Sequence, residues 1–280
     1  MNITIAIDSF KGSLSSMEAG QAVAEGIRRV MPSAEIRIRP LADGGEGTTE
    51  ALTAGLGGEL KSLTVTGPLG RPVTASYGLI RERKMAVLEM ASAAGLTLIS
   101  QEERNPLEAT TYGVGEMIRQ MDQWMERYGD LAARTFPAAD KEAPGAGAAG
   151  GLGFAFLTFL NGSLESGVGM VLKEINLKDD IRDADLVITG EGRLDAQTVM
   201  EKAPIGVAHL AKEYGKPVIA FSGAVTREAG LCNQHGIDAF FPIMRGVVSL
   251  QEALDPGEAR INAADTAEQV FRLIQLKLSC

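Results

Sequence analysis

NITIAIDSFKGSLSSMEAGQAVAEGIRRV, residues 2–30, sets a strand, a loop and a helix in a row. Asn2–Ile7 is a short, nearly continuous apolar run, the pattern of a strand covered on both faces. Ser15 and Glu18 make a capping box for a helix whose apolar stripe is Val23, Ile27 and Val30. Between the two, DSFKGSLS (8–15) places an aspartate, a lysine, a glycine and serines at the strand's carboxyl end. In an open α/β sheet that end is where ligands bind.

Two further runs repeat the arrangement. PLADGGEGT (40–48) follows the alternating strand Glu35–Arg39, and TGEGRLDAQT (189–198) follows the strand Leu186–Thr189. Glycine lets a ligand approach the backbone, a helix N-terminus favours anions, and neighbouring carboxylates suit Mg²⁺. A helix is expected after the second run, and then the pattern changes. Leu63–Thr66, Val73–Leu79 and Met85–Met90 read as short strands separated by turns at Gly67-Pro68 and Leu69–Pro72. A helical region runs through Gly113–Phe136, and the glycine-rich run Pro144–Gly153 leads into another helix. Strict alternation returns from Ala184, with a helix at Val199–Tyr214 and strands at Val218–Phe221 and Ala239–Ile243. The closing helix, Ile261–Leu278, turns Ala264, Val270, Phe271 and Ile274 inward. The expectation is an α/β chain in which residues 1–57 and 145–280 build one parallel-sheet domain from both chain ends. Residues 58–144 form a second, inserted α+β domain, with the site in the cleft between them.

A chain of 280 residues with 45% apolar and 22% charged residues is globular. A net charge of −9 without an evident basic patch argues against a nucleic-acid partner. The two cysteines, Cys232 and Cys280, make neither a disulfide framework nor a metal site, and fit a reducing cytoplasm. Ala143–Leu164 carries no charge, but its glycine-rich first half leaves the helical part too short to span a membrane. His209 and His235 lack partners at metal-ligand spacing and read as structural or exposed. GxSxG, CxxC and GxxxxGK[ST] are all absent. Residues 145–150, GAGAAG, fit GxGxxG formally without following a strand, and DSFKGS stands where a nicotinamide enzyme would need that fingerprint.

The candidate residues each carry a plainer alternative. Lys11, flanked by Gly12 and Ser13, suits a phosphate loop or an ordinary turn with an exposed lysine. Asp43, beside Gly44, Gly45 and Glu46, suits a Mg²⁺ ligand, a general base or a helix N-terminal acid. Glu191, Arg193 and Asp195, spaced by two along an extended stretch, project to one side and can converge on a ligand, or form a surface ion pair. Gly145, Gly147, Gly150 and Gly151 suit an anion nest around nucleotide phosphates, or a hinge or close helix contact.

Seven runs taken together resemble the bacterial glycerate kinase family, of the type that includes the glycerate 2-kinases. They are DSFKGSLS (8–15), PLADGGEGT (40–48), LEMASAAGL (88–96), ATTYGVGE (109–116), PGAGAAGGLG (144–153), DLVITGEGRLDAQT (185–198) and AFSGAV (220–225), in family order. The resemblance implies a two-domain α/β fold with a Rossmann-like domain built from both chain ends. It also implies transfer of the ATP γ-phosphoryl group to a hydroxyl of D-glycerate, with Mg²⁺. On that footing Asp8, Ser9, Lys11, Ser13, Gly44, Gly45 and the 145–151 glycines bind substrate or phosphate. Asp43 and Glu191 hold metal, and Arg193 grips the carboxylate or the γ-phosphate. Asp195 orients the attacking hydroxyl, with Asp43 next in line. The partner is a small molecule, with neither nucleic acid nor membrane, and a homodimer is left open. The chain departs from the family near Gln120–Met121, where relatives carry a long segment with GIGGSATNDGG-like and DVTNPLCG-like runs. Either that segment is omitted from the chain, as its undisturbed flanks favour, or the protein is genuinely shortened. An omission would leave Gln120 and Met121 farther apart than the about 3.8 Å of a peptide-bonded pair.

Overall fold

The computed structural model describes residues 1–43, 47–66, 72–89, 92, 130–137, 139–143, 146, 148–160, 162–163, 166–200 and 202–276. Gly44, Gly45, Gly145, Gly147, most of Gly113–Phe136 and the Gln120–Met121 junction lie outside the described residues. Contacts gather into two units, one of Met1–Leu98 with Gly167–Cys280 and one of Ile99–Ser166.

In the first unit β1 (Asn2–Ile7) leads through α1 (Ser16–Val30) to β2 (Glu35–Ile38), which pairs parallel to it. The chain later returns as β6 (Leu186–Leu194) on the other side of β1, again parallel, with Ile3 opposite Leu186 and Ile7 opposite Gly190. β7 (Val218–Val225) and β8 (Ala239–Pro242) extend the sheet to the order β2-β1-β6-β7-β8. Both chain ends thus build one parallel sheet, and its strand order reverses between β1 and β6. That reversal is the switch point at which open α/β sheets bind ligands.

Strand alternation covers the sheet twice. Ile3, Ile5, Ile7 and Ile188 face α1 and α8 (Pro256–Gln275, which follows the short α7, Leu250–Ala253) in one buried layer. Ala6 and Val187 face α4 (Gly167–Glu174), α5 (Leu177–Asp183) and α6 (Ala203–Glu213) in the other. The capping box of α1 is present, with Ser15 and Glu18 each bonding the other's backbone N–H. After α2 (Thr48–Gly55) come β3 (Glu59–Thr66), β4 (Pro72–Ile80) and β5 (Met85–Leu88), an antiparallel meander. Gly78 of β4 lets α2 settle on this sheet, since a Cβ there would lie 1.9 Å from Thr53 Oγ1. The second unit contains α3 (Ala148–Leu160) and a helical turn at 130–135. Its small core joins Ala132, Ala146 and Phe154, and Phe136 meets Phe159 edge to face at 5.0 Å. Among the described residues no helix is long and apolar enough to cross a membrane.

Three sequence expectations need correction. β6 runs to Leu194 and does not stop at Thr189, because Glu191, Arg193 and Leu194 keep pairing with β7. α6 starts at Ala203 rather than Val199, after the turn at 196–200. α8 starts at Pro256 behind the Asp255 cap rather than at Ile261, and Ile274 is 41% exposed rather than inward. Its buried face is small: Ala259, Ala263, Ala264 and Ala267, then Val270 and Phe271. This smallness lets α8 touch α1 backbone to backbone. A Cβ on Gly26 would lie 1.9 Å from the Ala264 carbonyl oxygen.

Gly26→Ala sets two effects against each other. Alanine is the better helix former by about 1 kcal/mol. Forcing a methyl into a backbone contact costs ~1–3 kcal/mol or more, because neither helix can yield locally. The clash should win, and denaturant unfolding should show a lower midpoint for the variant. An unchanged or raised midpoint would mean that α8 does not seat on α1 at this point.

Candidate active site

The switch point brings two carboxylates together. Asp8 follows β1 directly, and its N–H donates to the Gly190 carbonyl at 2.9 Å, which sets it beside Glu191. Gly190 has no room for a side chain, since a Cβ would lie 1.9 Å from the Phe221 carbonyl oxygen. Asp8 is 5% and Glu191 8% exposed. Burial pushes the Asp8 carboxyl up to about 7; the Ser9 N–H opposes this, Asp43 and Glu191 add to it, and Lys11 opposes it. Glu191 is also raised, chiefly by burial, against the Thr198 hydroxyl at 2.7 Å and the Lys202 ammonium at 3.6 Å. Asp43, Glu191 and Lys11 are therefore electrostatic neighbours of Asp8, and the four are drawn from all three glycine-acid runs.

Ser16 ties two of these runs together. Its hydroxyl donates to the Ile7 carbonyl at 2.6 Å and accepts from the Leu41 N–H at 2.8 Å. The first helix, the end of β1 and the approach to Asp43 are thereby fixed around one buried hydroxyl. The loop after Asp8 closes on itself. Phe10 N–H donates to Leu14 at 2.8 Å, and the Ser13 and Leu14 N–H groups donate back to the Phe10 carbonyl at 2.8 and 3.0 Å. Gly12 takes φ +78° at the tip, and Lys11 and Gly12 are exposed. Gly192 lets this loop rest on β6, its missing Cβ falling 3.3 Å from the Lys11 nitrogen.

A groove of about 510 Å³ runs between this loop, the N-terminus of α2 and the meander, lined by Ser9–Ser15, Gly47, Thr49, Glu50, Thr74, Ser76, Glu89 and Ser92. Glu89 accepts from the Gly47 and Thr49 N–H groups at 3.0 and 3.4 Å and so caps α2. A second cavity of about 250 Å³ reaches Asp8 and Ser9 from the side of Met17, Leu41 and Leu60.

Arg193 and Asp195 lie outside both cavities. Asp195 is held in a turn, its Oδ1 accepting from the Gln197 N–H at 2.8 Å and its own N–H donating to Thr198 Oγ1 at 3.0 Å. Arg193 is largely exposed and stands 3.6 Å from Asp195. The three residues spaced by two do not share one environment: Glu191 is buried and Arg193 faces outward. Thr198, fully buried, links them by bonding both Glu191 and the Asp195 backbone. Gly150 and Gly151 lie in the first turn of α3. Sequence reading missed Ser16, Glu89, Thr198 and Lys202. The advance signal was position: Glu89 and Thr198 stand inside marked runs, and Ser16 and Lys202 lie shortly after them.

The family described as the glycerate kinase family matches residues 3–121 and 116–275. The chain belongs to that family. A glycerate kinase from Bacillus subtilis (strain 168) is 33% identical over 97% of this chain and 96% of its own length. A glycerate 2-kinase from Escherichia coli (strain K12) is 33% identical over 90% of this chain and 93% of its own. A crystal structure assigned as glycerate kinase 2 from Salmonella typhimurium LT2 superposes with a TM-score of 0.77 at 30% identity, covering 98% of each chain. The Bacillus alignment extends over 373 positions against 280 residues here, so that relative carries residues this glycerate kinase family member lacks. The two family matches overlap at residues 116–121, the stretch that holds Gln120 and Met121.

The Asp8 carboxyl sets a pH dependence. Its folded value of about 7 lies above the unfolded 3.8. The folded state therefore binds more protons between those values, and stability falls as pH rises from about 4 to about 7. Asp8→Asn keeps an acceptor for the Ser9 N–H and removes the titration. In ligand-free protein it should be more stable than wild type at pH 8, on the order of 2–4 kcal/mol. The difference should vanish near pH 4. Parallel melting curves of the two proteins from pH 4 to pH 8 check this, and equal slopes would refute it.

Proposed function

We propose that the protein transfers the γ-phosphoryl group of ATP to a hydroxyl of D-glycerate, giving 2-phosphoglycerate, in a Mg²⁺-dependent reaction. The observation that carries the reading is the buried Asp8–Glu191 pair, with Asp43 and Lys11 as electrostatic neighbours of Asp8, at the sheet's switch point, in a glycerate kinase family chain. Phosphoryl transfer asks a protein mainly to position partners and balance charge. Lys11 and the N–H groups around Ser13 would hold phosphate oxygens or the acid's carboxylate. Gly44 and Gly45 would extend this cradle, and Gly145, Gly147, Gly150 and Gly151 would wrap nucleotide phosphates. Crowded carboxylates with Asp8 pushed up to about 7 fit a divalent cation, which would relieve their repulsion. Asp43 and Glu191 would hold it, since Mg²⁺ takes one or two carboxylates and keeps several waters. When bound, it neutralises charge on the β- and γ-phosphate oxygens.

Asp195 is our assignment for the group that orients the attacking hydroxyl, with Asp43 next. Its turn leaves Oδ2 toward Arg193 while Oδ1 is occupied by Gln197. Arg193, exposed in the protein alone, has the fork to grip a carboxylate or the γ-phosphate. Part of this reading is the division of the chain into residues 1–57 with 145–280, and 58–144, and a cytoplasmic location. The missing segment near Gln120–Met121 supports a second reading, a catalytically silent relative that binds glycerate or nucleotide.

Phosphorus NMR of the products from D-glycerate, ATP and Mg²⁺ decides between them. 2-Phosphoglycerate is expected. 3-Phosphoglycerate would move the attack to the other hydroxyl, and no transfer by a protein whose intact mass is 29.6 kDa would favour the silent relative. Asp195→Asn preserves the Gln197 contact and removes the charge, so kcat should fall ~10²–10⁴-fold with KM for ATP little changed. A fall under threefold, with chemistry rate-limiting, would pass the role to Asp43. Arg193→Lys keeps charge and loses the planar fork. KM for glycerate should rise if Arg193 holds the carboxylate, and kcat should fall if it holds the transferring group.

A further inference from the structure

Thr198 is fully buried, whereas Ala196 and Gln197 of the same turn are exposed. Its hydroxyl accepts from the Asp195 N–H at 3.0 Å and donates to Glu191 Oε1 at 2.7 Å. The direction of both bonds is fixed: a backbone N–H only donates, and the hydroxyl's single proton is left for Glu191. Bonds linked in this way polarise one another in the same sense. Two further bonds close the turn on itself. The Thr198 N–H donates to the Asp195 carbonyl at 3.1 Å, and the Gln197 N–H to Asp195 Oδ1 at 2.8 Å. Those two shape the turn; the bond to Glu191 ties it to β6 and sets where it lies. We propose that Thr198 is a positioning residue, which through this one hydroxyl holds Asp195 in register with Glu191. The inference rests on the glycerate kinase reading and adds the residue that joins two of its carboxylates.

Glu191 is a suitable fixed end for such a link. It is buried on a strand paired with β7, and Lys202 stands 3.6 Å from its other oxygen, Oε2. The carboxylate is therefore gripped on both oxygens, and Thr198 passes that rigidity to an otherwise exposed turn. Phosphoryl transfer depends on placement, and a displacement of about 1 Å can cost ~10²-fold in rate. An Asp195 held only by its own turn would lack that precision.

Thr198→Val keeps the shape and strands the Asp195 N–H and Glu191 Oε1; Thr198→Ser keeps the hydroxyl. A double-mutant cycle with Asp195→Asn asks whether the two residues act as one. kcat should fall ~10–100-fold in Thr198→Val and stay within about threefold of wild type in Thr198→Ser. Adding Thr198→Val to Asp195→Asn should cost less than about threefold more. An equal fall in both backgrounds marks a merely structural threonine and would overturn the assignment, leaving the kinase reading intact. Hydrogen exchange reads the anchor without turnover. Peptides covering residues 195–200 should exchange about tenfold faster in Thr198→Val and at the wild-type rate in Thr198→Ser, with β1 unchanged. Equal exchange in Thr198→Val and wild type would also overturn the assignment. Thr198→Cys, small and a weak hydrogen bonder, replaces Thr198→Val throughout if that variant does not fold. A wild-type protein that does not phosphorylate D-glycerate would overturn the kinase reading, and this assignment with it.

Discussion

The parallel pairing of β1 with β6 is the constraint from which the site follows. The bond from Asp8 N–H to the Gly190 carbonyl fixes two carboxylates side by side where water is scarce. That arrangement opposes folding, as the raised Asp8 carboxyl records. It persists because the same pairing seals apolar layers on both faces. Ile3, Ile5 and Ile7 alone are essentially buried, and burying such side chains contributes roughly 1.5–3 kcal/mol each. Three isoleucines outweigh one crowded aspartate. A ligand or cation that neutralises the corner thus meets a site already paid for by packing elsewhere.

What could be read in advance was what nearest neighbours along the chain decide. β1 falls on Asn2–Ile7 as its apolar run requires, and the Ser15–Glu18 box opens α1 because both partners sit within four residues. The meander was visible in its turn signals. The run at 190–194 was misjudged as a loop because its glycines look like breakers. They serve instead where the Phe221 carbonyl and the Lys11 backbone come within 1.9 and 3.3 Å of where a Cβ on Gly190 or Gly192 would sit, which no local pattern reports. The start of α8 was missed for a similar reason: its inner face is alanine, and an alanine stripe carries little periodic signal until the glycine it packs against is known.

The site was legible as a set of residue types and not as a geometry. Asp8, Asp43, Glu191 and Lys11 were all marked by their runs, and they are neighbours. The polar contacts that hold them were invisible, because two join residues 25 and 42 positions apart and the third depends on how a buried turn directs one side chain. Ser16 reaches Leu41, Glu89 reaches back to Gly47, and Thr198 bridges Glu191 and Asp195. These residues come from 1–89 and 186–202, on either side of the break near Gln120–Met121. None of these residues comes from the stretch where the longer relatives carry their additional residues.

The seat of α8 on α1 has a consequence for how the chain comes into being. α1 is finished by residue 30, yet the layer that covers it is supplied by residues 256–275. At ribosomal speeds of about 5–20 residues per second, the interval between the two is on the order of tens of seconds. Throughout it, the flank of α1 that carries Gly26 has no permanent cover. The nascent first third of this protein thus carries a helix with an unfilled contact face, and arrest of synthesis anywhere before residue 256 releases a chain whose oldest helix is still bare on one side.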